Sequence, residues 1–144
     1  MTTGYLVRPD FSTEIVEFNT DAEAAALIGA EVEEIERAHV VFSRPNLDPM
    51  VMIFSRAFRD EEVEPNPVST LGREERKLGD SSFLTNPTAA KYGPVIFLGV
   101  NGQSIDEDDK QDIESGIQAA KNYLDDNPVD AELWRNAARN LPNL

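Results

Sequence analysis

The sequence contains no cysteine, which excludes thiolate nucleophiles, cysteine metal sites and a disulfide framework. Histidine is nearly as scarce. His39 stands alone, so two-histidine metal sites and the H-E-x-x-H pattern are excluded, and any histidine-based triad would rest on this one residue. Long hydrophobic runs are missing: the longest, Pro94 to Leu98, falls far short of the roughly 20 residues that span a bilayer. The opening stretch MTTGYLVRPDF has no basic region followed by an apolar one, so it does not read as a secretory signal. The nucleophile-elbow, phosphate-loop and dinucleotide-binding glycine patterns are absent, and with them the signatures of hydrolases, kinases and dinucleotide enzymes. Positive charge is scarce too. Thirteen Lys and Arg stand against 27 Asp and Glu, a net charge of −14. Nucleic-acid binding needs basic charge to neutralise phosphates, so direct nucleic-acid binding is not expected. These absences together point to a cytoplasmic, non-enzymatic protein with no membrane segment, no metal and no cofactor.

The chain has 144 residues, one domain on the usual prior of roughly 100–200 residues each. Hydrophobic residues make up 40%, so an ordinary core can form. The acidity is spread through the chain. Residues 1–72 hold 14 acids and 5 bases, and residues 73–144 hold 13 acids and 8 bases. Two readings of this charge stand side by side. One is a solvated surface of the kind found in haloarchaeal or high-GC proteins, consistent with only four Lys among the bases. The other is an anionic imitation of DNA phosphates aimed at a DNA-binding partner. The general surface explanation is the favoured one.

Leu6–Arg8 and Thr13–Phe18 read as short strands around the turn Pro9-Asp10-Phe11-Ser12. Thr20 is placed to cap a helix over about Asp21–Ile28, with Glu23 completing a capping box, Ala24, Leu27 and Ile28 facing inward, and Gly29 as the stop. Residues 38–55 read as a β-hairpin with a long loop, its second strand being the apolar Met50–Phe54. Arg59–Pro67 reads as an acidic loop, Leu71–Leu78 as a short helical turn, and Ser81–Gly93 as irregular. Val95–Val100 is apolar at successive positions, which predicts a central strand covered on both faces. Ser104 is expected to cap a long helix from about Ile105, with Glu107 at the capping-box position and Ile113, Ile117, Ala120 and Leu124 on one face. Asn127-Pro128 ends it. A last helix over about Asp130–Asn140 would carry a stripe of Leu133, Trp134, Ala137 and Leu141. The expected fold is α+β: a small, mainly antiparallel sheet with one early helix and a C-terminal helical hairpin.

The early helix ending Leu27-Ile28-Gly29, the turn Asn86-Pro87-Thr88-Ala89, the strand entry Gly93-Pro94-Val95-Ile96 and the segment Ser104-Ile105-Asp106-Glu107-Asp108 occur here in this order. This pattern resembles a family of small phage and plasmid proteins of unknown function, often found among accessory or antirestriction genes. The resemblance spans about residues 5–117, with residues from about 118 to 144 as a C-terminal helical extension. It implies a mobile-element context and assigns no catalytic residue.

Three residue groups offer binding chemistry. Asp60, Glu61, Glu62 and Glu64 make the best single patch for a basic protein partner, although a solvated loop is the simpler reading. Arg73 and Arg76, with Lys77, offer guanidinium forks to a small anionic ligand such as a nucleotide-like signal, against self-pairing with Glu74 and Glu75. Asn86 and Thr88 offer polar groups from a loop, against a plain turn role. The run Asp106-Glu107-Asp108-Asp109, with Asp112, lacks the glycine and terminal glutamate of a calcium loop, and reads as a solvated helix start. His39 reads as structural, and Trp134 as core or as an edge where a partner docks. The leading expectation is a protein-binding accessory protein, an acidic antagonist of DNA-binding defence machinery. A small-ligand binder and a structural homo-oligomer stand as alternatives.

Overall fold

A computed structural model describes residues 1–40, 50–59, 63–70 and 91–139. The main sheet has five strands: β1 (Thr2–Val7), β2 (Thr13–Phe18), β3 (Ile35–Val40), β4 (Met50–Ser55) and β7 (Val95–Val100), in the order β2-β1-β7-β4-β3. All its pairings are antiparallel. A two-stranded ribbon of β5 (Pro65–Asn66) and β6 (Lys91–Tyr92) lies beside it. The helices are α1 (Asp21–Ile28), α2 (Glu107–Asp126) and α3 (Pro128–Arg139). The α+β architecture with a C-terminal helical pair is thus the one the residues predict.

Two hairpins, β1–β2 and β3–β4, form the flanks, and β7 arrives late in the chain to join their inner strands. Its side chains alternate between two cores. Val95 and Phe97 enter the core beneath α2 with Tyr5, Val7, Met52, Phe54, Ile113 and Ile117. Ile96 and Leu98 enter the core beneath α1 with Leu6, Val16, Phe18, Ile28 and Ile53. Val95, Ile96, Phe97 and Leu98 are all fully buried, so this is the doubly covered central strand that its composition predicts.

A third cluster joins α3 to the small ribbon: Phe58, Tyr92, Leu124, Ala131, Trp134 and Ala138. Tyr92 donates its hydroxyl to the Ala138 carbonyl at 2.8 Å, satisfying a group near the end of α3. Asn66 joins the ribbon to the main sheet from a fully buried position. Its amide nitrogen donates to the carbonyls of Val7 and Gly93, both at 3.0 Å, and its oxygen accepts from Val68 N at 3.1 Å. The sequence reads as an acidic loop here, because nothing local marks the Asn66 side chain as buried.

Several expected boundaries differ. β1 begins at Thr2 rather than Leu6, because residues 2–5 pair with residues 15–18 of β2 and Thr3 is also held from the other side, its N donating to Ser104 Oγ at 2.9 Å and its O accepting from Ile105 N at 3.0 Å. Ser104 is therefore not the cap of α2. Asp106 is, with Asp109 completing a reciprocal capping box at 2.7 and 3.1 Å. Thr20 does cap α1, but the Glu23 carboxylate reaches Asn19 N instead of Thr20 N. Within α1, Ala25 is buried and Leu27 is exposed, since the helix rolls its small face onto the sheet. In α3 the inward residues are Ala131, Trp134 and Ala138, whereas Leu133 and Ala137 face outward. Trp134 meets Tyr92 and Phe58, and its bulk sets the rotation of the helix. Helix α2 runs continuously across residues 117 and 118. The hairpin loop at Arg44–Pro49, the turn at Leu71–Leu78, and Leu141 lie outside the described residues.

The Asn66 network generates a stability prediction. Asn66→Ala strands two carbonyls and one amide in the interior and is expected to cost about 2–4 kcal/mol in urea unfolding. Asn66→Asp sets a carboxylate against two carbonyl oxygens, and a larger loss is expected at neutral pH.

Candidate functional site

The residues favoured by sequence divide sharply. Asp60, Glu61, Glu62, Arg73, Arg76, Lys77, Asn86 and Thr88 lie outside the described residues. Glu64 is described and exposed, and its carbonyl accepts from Gly93 N at 2.8 Å at the entry to β7. His39 is exposed on edge strand β3, opposite Val51. Trp134 is core, and its indole nitrogen has no hydrogen-bond partner among the described residues. The acidic run at the start of α2 splits into two jobs. Asp106 and Asp109 are spent on the capping box, while Glu107 and Asp108 face solvent in the positive first turn. Among the described residues, no three or more His, Asp or Glu side chains converge where a metal ion could sit. No described helix is long and apolar enough to cross a membrane.

A groove that sequence reading did not foresee lies between α2 and edge strand β2. It arises from unequal cover on the two faces. On the α1 side, Val16 and Phe18 of β2 are buried, but on the α2 side Ile15 remains 47% exposed. Helix α2 covers β1, β7 and β4 and stops short of the edge. The resulting open depression, about 370 Å³, is lined by Thr3, Ile15, Ile105, Asp106, Glu107 and Lys110. Glu17, two residues beyond Ile15 on the same side of the strand, is exposed beside it.

The end of β7 sets this geometry. The β4–β7 pairing slips by one residue, with Met50 opposite Val100 and Val51 opposite Leu98, so Gly99 is the extra residue of a bulge. A Cβ at Gly99 would lie 2.9 Å from both Asp109 Oδ2 and Ser104 O, closer than a real side chain tolerates. Asn101 and Gly102 follow with φ of 58° and 79°, and Gln103 N donates to Val100 O at 3.2 Å. Two left-handed central residues with this bond make a type I′ turn, for which Asn-Gly is the preferred pair. The turn folds Ser104 and Ile105 back onto Thr3 and delivers the first turn of α2 to the groove. The Asn-Gly dipeptide was the signal available in the sequence.

In the core beneath α2, Tyr5 donates its hydroxyl to Glu114 Oε1 at 3.3 Å. Burial pushes the Tyr5 hydroxyl above the usual tyrosine range, with the Glu114 charge adding to the rise and a hydrogen bond with the Thr13 side chain opposing it. Elsewhere three arginines meet the chain's own acids: Arg8 with Glu14 at 3.0 Å, Arg37 with Asp21 at 2.8 Å, and Arg56 with Glu34 and Glu36, both at 3.1 Å. At the turn between β1 and β2, the Asp10 carboxylate is held below its usual range, chiefly by the Ser12 hydroxyl and then by Ser12 N.

Chemically, the groove offers an apolar floor, an acidic rim with one lysine, and a strand edge that no other described strand pairs with. No family model matches the chain, and neither a curated protein nor a solved structure matches it.

The Tyr5 environment predicts a pH signature. A hydroxyl raised in the folded state contributes stability that is complete below the ordinary tyrosine range and is lost as pH rises through the folded value. Thermal unfolding followed from pH 8 to 11 is expected to show a shallower alkaline decline for Tyr5→Phe than for the natural protein. Equal declines would remove Tyr5 from the account.

Proposed function

We propose that this is a non-enzymatic, cytoplasmic accessory protein of a phage- or plasmid-like element, acting by binding a protein partner through its acidic surface. The target class is the DNA-binding defence machinery of the host. The observation that carries the reading is the groove, where exposed Ile15 and half-buried Ile105 share the lining with the exposed acids Asp106 and Glu107 and with Lys110, and Glu17 follows Ile15 on the same side of β2. A partner shaped to hold DNA presents basic side chains to phosphates, and carboxylates at this rim meet the same charges. The scarcity of bases adds support, because Arg8, Arg37 and Arg56 are paired with acids of the chain itself.

The test uses two levers on one complex. Immobilised protein is expected to retain a DNA-binding host protein at low salt. It should release that protein steeply between about 50 and 200 mM salt, and release it again when duplex DNA is added. The triple variant Glu17→Gln, Glu107→Gln and Asp108→Asn spares the α2 cap and is expected to retain about tenfold less, the effect of losing roughly 1.4 kcal/mol. Retention indifferent to salt, to DNA and to the variant would defeat the reading.

Self-association has one observation in its favour. Val129 and Leu133, one turn apart on α3, are 69% and 62% exposed. Should that face join two copies, light scattering would show a dimer that Leu133→Glu dissolves, and a monomer at 100 μM would dismiss it. The small-ligand alternative rests on Arg73, Arg76 and Asn86, all outside the described residues.

A further inference from the structure

The geometry points to a specific mode of docking: we propose that β2 accepts an added strand from its partner, an extended basic segment with apolar residues at alternate positions. This deepens the protein-binding reading and rests on it. Three observations carry it.

The first is backbone direction. In β1, Thr3 N and Thr3 O bond to Ser104 and Ile105, on the β7 side of the strand. Odd-numbered residues of β1 therefore face β7, and even-numbered ones face β2. The hairpin turn agrees, since Arg8 N donates to Ser12 O at 2.9 Å and opens the β1–β2 ladder on even-numbered residues. In the β1–β2 register, Glu14, Val16 and Phe18 pair inward. The backbone N–H and C=O groups of Thr13, Ile15 and Glu17 then point away from the sheet, as an edge ready to pair.

The second is the absence of a proline, a bulge or a covering segment on this edge among the described residues. Strand β2 keeps unbroken register with β1 over six residues, with no proline and no bulge. Natural edges are commonly blunted by such devices. Charge is present on both edges, Glu14 and Glu17 on β2 against Glu36, Arg37 and His39 on β3, so what β2 offers is an acidic edge that disfavours an acidic strand and admits a basic one.

The third is the match of side chains. Thr13, Ile15 and Glu17 lie on the groove side of β2, so every second residue of an added strand would lie on that face beside Ile15, Ile105 and the rim acids, while the alternate residues would lie on the opposite face, where β2 exposes Glu14. Acidic Glu17, Asp106 and Glu107 select a basic strand and disfavour a second copy of this acidic chain. Backbone bonds supply affinity in this mode and alternate pockets supply selectivity.

The probe is a blocked octapeptide alternating lysine and valine, compared with the same peptide N-methylated at every second residue. Amide exchange and amide shifts of the full chain are read by NMR at about 50 mM salt, where the Debye length exceeds about 10 Å. The plain peptide is expected to slow exchange at Thr13, Ile15 and Glu17 by about tenfold or more, while the methylated peptide leaves them unchanged. Ile15→Pro removes one outward N–H without touching the ladder to β1, and is expected to weaken binding about tenfold. Because that variant strains the strand, the methylated peptide on the natural protein is the deciding comparison. Equal binding of both peptides, with shifts at Glu107 and Asp108 and no slowing on β2, would overturn strand addition while leaving the acidic-surface reading intact. Slowing that depends on protein concentration without peptide would assign the edge to a second copy and overturn the proposal. Absence of binding by the plain peptide overturns it as well, and the fate of the broader reading then rests on the salt and DNA competition.

Discussion

Strand β7 has to be buried on both faces at once, and most of the architecture follows from that requirement. Four successive side chains, Val95 to Leu98, are removed entirely from water. A strand with that composition is stable only at the centre of a sheet with a layer on each side. Helix α1 supplies one layer and α2 the other, while the two hairpins give β7 the inner neighbours β1 and β4. Asn66 and Tyr92 then fasten the peripheral ribbon and α3 to this frame through buried hydrogen bonds.

The groove is a by-product of the same requirement. One twenty-residue helix covers the central strands, and the flanking strand β2 is left half-covered on that face. The bulge at Gly99 and the turn at Asn101-Gly102 fix where α2 starts, so its exposed first-turn acids stand beside the uncovered edge. Phe11 shows the cost of this arrangement at the other end of β2. It adopts φ of 70° in the turn, a strained value for an aromatic residue, and its ring packs against the cores beneath α2 and α3. That packing offsets a strain of roughly 1–2 kcal/mol.

Charge on this protein is arranged as well as abundant. The paired arginines lie on the β3 side and at the first hairpin, where single exposed ion pairs add little to stability. Their effect is to neutralise acids locally, whereas Glu17, Glu107 and Asp108 at the groove appear in no ion pair among the described residues. An acidic surface adapted to salt and an acidic surface built for a basic partner share a composition. Among the described residues, Asp106 and Glu107 border the depression that Ile15 and Ile105 line.

Composition and local order were enough to determine the elements themselves: strand Thr13–Phe18, the capped helix ending at Gly29, the doubly apolar strand Val95–Val100 and the helix break at Asn127-Pro128. These follow from periodicity, capping and turn chemistry, which act over a few residues. The candidate site was much less legible. Ser104 looks like a helix cap in isolation and becomes a partner of Thr3, 101 residues away, only when β1 and β7 are neighbours. Leu133 looks like core until Trp134 claims the inner face of α3. The exposed acids of the α2 first turn are visible in the sequence, but their place beside Ile15 is not. That place depends on which strand ends up at the edge and how far one helix can reach across a sheet, and tertiary packing alone decides both.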